Sequence, residues 1–243
     1  MTDSNATELV VLADAEAVAR AAADRTVALL AGRSWPLSLA LSGGTTPQRY
    51  YRLLAAEPYR SRLPWQQIHV FVVDERHVSP DHADSNYRMM REALLERVPI
   101  PPSHLHPMAT DGGPEDCATR YRWVLRDYFG DQPQRLDMVL LGMGADGHTA
   151  SLFPGHPLET TESVVAVKNS PKPPPTRLTL TLPLLSQARQ VWFLVTGADK
   201  AAALNRVLSE GVDGELPAGR VRPADGKLVW LVDQAARSMV EAG

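Results

Sequence analysis

The stretch LDMVLLGMGADGHTASLFP spans residues 136–154. Its apolar run, Met138 to Leu141, is of strand type and stops at glycine. Glycines follow at 142, 144 and 147, and between them stand an acid and a base two residues apart, Asp146 and His148. Thr149 and Ser151 add hydroxyls. A buried strand that empties into a glycine-rich turn sets backbone N–H groups and polar side chains at the carboxyl end of a sheet, where open α/β sheets bind ligands. A histidine placed there titrates near neutrality and can move protons. Residues 142–147 also match GxGxxG, the dinucleotide fingerprint. That reading needs a helix after the third glycine and an acid at the next strand end. Pro154, Gly155 and Pro157 cut any helix to about two turns, and the next strand ends in Lys168-Asn169, so the fingerprint is rejected.

Outward from this stretch, strands alternate with helices. Strands are expected at Leu9–Leu12, Leu37–Leu41, Ile68–Val73, Leu136–Leu141, Val164–Val167, Arg177–Leu182, Val191–Val195 and Leu228–Val232. Helices are expected at Asp14–Arg33, Pro47–Ala56, Ser85–Arg97, Glu115–Phe129, Ala198–Ser209 and Asp233–Glu241. Thr46 stands where an N-cap is wanted and Pro47 at the first helical position. The segment RLTLTL alternates like a strand with one wet face. The pattern is α/β: a Rossmann-like parallel sheet flanked by helices, with additional strands in the second half. No linker divides residues 1–243, which read as one domain.

Three other strand ends carry candidate chemistry. Ser42-Gly43-Gly44-Thr45-Thr46-Pro47 joins a strand to a helix. Its glycines admit a close ligand, and the helix behind offers unpaired N–H groups and positive dipole density. That suits phosphate; an ordinary strand–turn–helix has the same composition. Asp74-Glu75-Arg76 follows the next strand. Arg76 can grip a phosphate bidentately and Asp74 can orient a sugar hydroxyl or a base, and a solvated loop with an internal ion pair is the plainer alternative. Lys200, after Thr196-Gly197, can add a cation. Lys172 and Arg177, around the proline run NSPKPPP, are further anion-facing candidates.

Composition excludes several classes. The 243 residues carry a formal charge of −3 and no basic tract, which speaks against nucleic acid. The single cysteine, Cys117, cannot form an internal disulfide and reads as packing filler in a reducing compartment. No apolar run reaches membrane-spanning length and no signal pattern opens the chain, so a soluble cytoplasmic protein is expected. His77 and His82 lack metal-ligand spacing with the nearby acids, so no metal site is expected.

Taken together, SGGTTP (42–47), VDERHV (73–78), DSNYRMM (84–90), LGMGADGHTASLFPG (141–155), PPPTRLTLT (173–181) and TGADKA (196–201) resemble the 6-phosphogluconolactonase family in order along the chain. That resemblance implies a fold shared with glucosamine-6-phosphate deaminases. It further implies hydrolysis of 6-phospho-D-glucono-1,5-lactone in the oxidative pentose phosphate pathway, with no organic cofactor or metal. The deaminase is the nearest rival. After GxDGH it resembles Ile-Ala-Phe-Asn-Glu-Pro, whereas residues 149–154 here are Thr-Ala-Ser-Leu-Phe-Pro, without the acid. A non-catalytic sugar-phosphate sensor is a third alternative.

The expected scheme places phosphate on Ser42, Gly43, Gly44 and Thr45, with Arg76 and Lys200 supplying charge. His148 is the expected general base on water, with Asp146 setting its tautomer. Backbone N–H groups of the glycine turn, Gly144 included, are expected to face the oxyanion. Asp74, Lys172 and Arg177 complete the expected substrate contacts, and a monomer or weak homo-oligomer is expected.

Overall fold

A computed structural model describes residues 7–30, 32–33 and 35–238. Among the described residues, ten strands and eight α-helices follow in chain order: β1 (Thr7–Leu12), α1 (Ala15–Leu30), β2 (Leu37–Leu41), α2 (Thr45–Leu54), β3 (Ile68–Val72), β4 (Asp74–Arg76), α3 (Asn86–Ala93), β5 (Leu105–His106), α4 (Pro114–Phe129), β6 (Met138–Leu141), β7 (Val164–Val167), β8 (Arg177–Leu180), α5 (Leu182–Leu185), β9 (Gln190–Val195), α6 (Ala201–Glu210), α7 (Pro217–Arg220), β10 (Lys227–Asp233) and α8 (Gln234–Arg237). Seven strands form one sheet in the order β1-β10-β9-β6-β2-β3-β5. Every pairing in it is parallel. Strands β4, β8 and β7 form a second, antiparallel sheet.

The apolar strands explain the large sheet. Every residue of β2 and β6 is buried, as a parallel sheet covered on both faces requires. Trp230 on β10 stacks on its registered neighbour Phe193 on β9, with ring centroids 3.9 Å apart. From β2 the chain runs outward to β3 and β5; from β6 it runs the other way, to β9 and β10. The two halves meet where β2 pairs with β6, Leu39 opposite Met138. Loops leaving two such neighbours in opposite directions open a crevice at the carboxyl ends.

Several expectations are corrected. Asp74-Glu75-Arg76 is a strand, not a solvated loop, and both acids are buried. The wet face expected of RLTLTL is absent, because β8 lies between β4 and β7 with every residue buried. Thr46 does not cap α2: Gly44 holds the cap position with φ 113°, and the Thr46 hydroxyl bonds Thr196 Oγ1 at 2.7 Å. Helix α3 stops at Ala93 and passes into a 3-10 turn at Leu95–Arg97. Residues 239–241 of the expected last helix lie outside those described. Cys117 is buried and free, as packing filler should be.

Glu75 ties β4 to the start of α3. Its carboxylate accepts from the backbone N–H groups of Arg76, Asn86 and Tyr87 at 2.7–2.8 Å and from the Ser85 hydroxyl at 3.0 Å. Two of those donors belong to the first turn of α3, whose N–H groups have no partner within the helix. Glu75→Gln replaces an acceptor oxygen by an amide donor among four donors. It is expected to cost about 1–3 kcal/mol, read as a fall of several degrees in the thermal unfolding midpoint.

Candidate active site

The loop after β2 is fixed from behind. Tyr51, buried on α2, donates its hydroxyl to the Ser42 carbonyl at 2.7 Å. Gly43 has no room for a side chain: a Cβ there would stand 1.9 Å from Asn86 Oδ1. Asn86 Nδ2 in turn donates to the Asp74 carbonyl at 2.7 Å. Ser42 Oγ is buried and has no hydrogen-bond partner among the described residues.

The turn after β6 brings acid and base together. Gly144 N–H donates to the His148 carbonyl and Gly147 N–H to the Gly144 carbonyl, each at 2.9 Å. Gly147 has φ 79°, a conformation that favours glycine. The fold-back places His148 Nδ1 2.5 Å from Asp146 Oδ1. The expected backbone oxyanion donors are therefore corrected in part, since the N–H groups of Gly144 and Gly147 are spent inside the turn. Residues 149–152 close a tight turn, not a helix, with Ala150 at φ 51°. Ser151 Oγ donates to Asp74 Oδ2 at 2.7 Å, which orients that buried carboxylate.

Both loops open into one cavity of about 240 Å³. Ser42, Gly43, Gly44, Thr45, Asp74, Arg76, Gly144, His148, Lys172, Arg177 and Lys200, all singled out from the sequence, line it. Asp146 does not; it stands behind His148 and bonds it. Asn86 and Thr196 line the cavity without having been assigned a role. Their signal was present, in the stretches DSNYRMM and TGADKA, but their placement depends on Gly43 and Thr46, far away in sequence.

Four cations and one carboxylate, Asp74, face this space, so its field favours an anion. Arg76 donates from Nη1 to the Asp84 carbonyl at 2.8 Å, and its buried Nε has no partner among the described residues. Lys200 pairs with Asp199 at 2.9 Å. Arg177 is directed elsewhere: its guanidinium donates to the carbonyls of Lys172, Pro173 and Pro174 at 3.0–3.2 Å. It also lies over the Phe153 ring, which packs 4.8 Å from the imidazole of His148.

The imidazole side chain is 18% exposed. Burial holds its proton affinity below that of an ordinary histidine, although Asp146 pulls the other way. Burial also pushes the Asp146 carboxyl up, but the bonds and charges of His148 and Lys172 outweigh it and hold the pKa at about 2. Asp146 is thus ionised and His148 neutral at pH 7. The short bond assigns the Nδ1 proton to the Asp146 side, leaving Nε2 as the lone-pair nitrogen. Among the described residues no group of three or more His, Cys, Asp or Glu is placed to hold a metal ion, and no helix is long and apolar enough to cross a membrane.

A parallel Rossmann-like sheet, with a cation-lined cavity at its switch point and an oriented imidazole inside, defines an α/β protein with a pocket suited to a small anion. The family model described as glucosamine-6-phosphate isomerases/6-phosphogluconolactonase matches residues 13–230, and the chain belongs to that family. A 6-phosphogluconolactonase from Synechocystis is 45% identical over 205 residues, covering 82% of each chain. One from Homo sapiens is 42% identical over 228 residues, covering 92% of this chain and 88% of its own. The crystal structure of a 6-phosphogluconolactonase from Thermotoga maritima superposes with a TM-score of 0.83 at 32% identity, covering 94% of this chain and all of the other.

Proposed function

We propose that this protein hydrolyses 6-phospho-D-glucono-1,5-lactone to 6-phospho-D-gluconate, the second step of the oxidative pentose phosphate pathway. One observation carries the reading: the oriented imidazole of His148 and the glycine loop at 42–45 line the same cavity. The names of the relatives agree with it.

The phosphate sits on the loop and the first turn of α2, where Ser42 Oγ wants a partner and the dipole favours negative charge. Arg76 and Lys200 supply charge. Binding at that end positions the reacting carbonyl at the other. His148 Nε2 takes a proton from water as its oxygen attacks C1. The tetrahedral oxyanion forms within the field of the cationic lining. Its collapse breaks the bond from C1 to the ring oxygen, and the imidazolium returns the proton to that oxygen. Water is thereby added across the ester bond, and the new carboxylic acid ionises in solution. Asp146 holds the tautomer and stabilises the imidazolium. Asp74, held by Ser151 and Asn86, accepts from a sugar hydroxyl.

The test is hydrolysis of freshly generated 6-phosphogluconolactone above its spontaneous rate, beside the unphosphorylated lactone. Equal acceleration of both would remove the phosphate site from the scheme; none of either would remove the activity. Ammonia released from glucosamine 6-phosphate would select the deaminase. Arg76→Ala is expected mainly to raise KM, because phosphate is held alike in ground and transition states. A loss of kcat at unchanged KM would move Arg76 into the chemistry.

A further inference from the structure

Lys172 stands in the loop between β7 and β8, and its backbone is held on several sides. Ser170 Oγ bonds both its carbonyl and its N–H, at 3.0 and 3.2 Å. Ser170 N–H donates to the Pro175 carbonyl at 2.9 Å, and the buried Arg177 binds three carbonyls of the loop. From this mount the ammonium reaches 3.2 Å from Asp146 Oδ2 and 3.3 Å from His148 Nδ1. The second contact is not a hydrogen bond. Nδ1 already directs its proton at Asp146 Oδ1, and an ammonium has no lone pair to accept one. Two donors face each other across it.

We propose that Lys172 is a positioning residue for the base: by sharing Asp146 with His148, its ammonium keeps the imidazole unprotonated in the free enzyme and sets the pH at which the base is lost. This rests on the reading of His148 as general base. Two effects of the same sign act. The ammonium draws part of the Asp146 charge, weakening that carboxylate's hold on an imidazolium. It also repels the imidazolium directly. Other groups act on the same ring. Asp146 in its own turn and Asp74 on β4 favour the cation. Arg177 beyond Phe153, and Arg76 and Lys200 across the cavity, oppose it. Lys172 is the cation in contact with Nδ1, and its charge works with burial to lower the proton affinity of His148.

The experiment is an NMR titration of the His148 imidazole in the free enzyme, its resonance assigned by its loss in His148→Asn. It is run on wild type, Lys172→Met, Lys172→Gln and Lys172→Arg, with kcat/KM against pH alongside, since that profile reports the free enzyme. Both neutral variants are expected to raise the His148 pKa by roughly half a unit to one unit, moving the acid limb of kcat/KM to higher pH. Lys172→Arg, which keeps the charge, is expected to stay near wild type. A neutral variant whose His148 pKa equals or falls below that of wild type overturns the proposal. If the titration shifts as expected but no variant, nor wild type, hydrolyses the lactone, the positioning stands and the lactonase reading falls.

Discussion

His148→Ala is expected to lower kcat by about 10²–10⁴-fold, the usual reach of a positioned general base. The effect should fall on kcat more than on KM, because in the proposed scheme the phosphate is gripped by the loop at 42–45 and not by His148. The imidazole is partly buried, and its ring packs on Phe153, so some loss of stability is expected too. A thermal melt separates that loss from the catalytic one. The pH dependence gives an independent check. Burial lowers the pKa of His148 from its usual value against the pull of Asp146. The neutral form, the base of the proposed scheme, therefore persists below the range where an ordinary histidine gains its proton. In wild type kcat/KM should stay flat through neutral pH and fall only as the pH drops below that range. His148→Ala should lose that limb along with the rate. An alanine variant with wild-type kcat would discard the base assignment, and a limb that survives the substitution would place the titrating group elsewhere.

Much of this site was legible because the chemistry sits at strand ends. The sequence expectation for β2 matched its observed bounds, Leu37–Leu41, since a short apolar run bounded by Pro36 and Ser42-Gly43-Gly44 has little other reading. The glycine turn announced a ligand-facing position for the same reason. The small sheet was harder. Strand β4 is three polar residues whose hydrogen-bond partner, β8, comes about a hundred residues later, and no local pattern records such a pairing. Strand β5 has two residues, too few for any periodicity. Glu75 looked solvated because a buried carboxylate needs donors, and its donors lie in another element, Ser85 to Tyr87. Arg177 carried an anion-facing reading from its charge, whereas its geometry commits it largely to loop carbonyls. What the sequence withheld was thus long-range polar partnership. The apolar pattern that makes strands, and the glycines that end them, are local and were readable.

Gly144→Ala is the sharper test of the geometry, for it adds one methyl group and deletes nothing. A Cβ at 144 would stand 2.0 Å from His148 Nδ1 and 2.4 Å from Asp146 Oδ1. No carbon tolerates either contact, so the imidazole and the carboxylate must move or the turn must open. The turn resists, because Gly144 N–H holds the His148 carbonyl and the Gly144 carbonyl holds Gly147 N–H. Gly147 is tied on its other side as well, since its carbonyl accepts from the Ala218 N–H at 3.1 Å. The strain therefore falls on the acid–base pair. A displacement of about 1 Å in a catalytic group can cost on the order of 10²-fold in rate, and that is the expected fall in kcat. KM should change little, since the nearest atoms the added methyl meets belong to His148 and Asp146 and not to the proposed phosphate site. The titration of His148 should move as well, because parting it from Asp146 removes the partner that favours its charged form, and its pKa should drop further. An alanine variant that keeps both its kcat and its acid limb would mean that the pairing of His148 with Asp146 is not the arrangement in which the enzyme works.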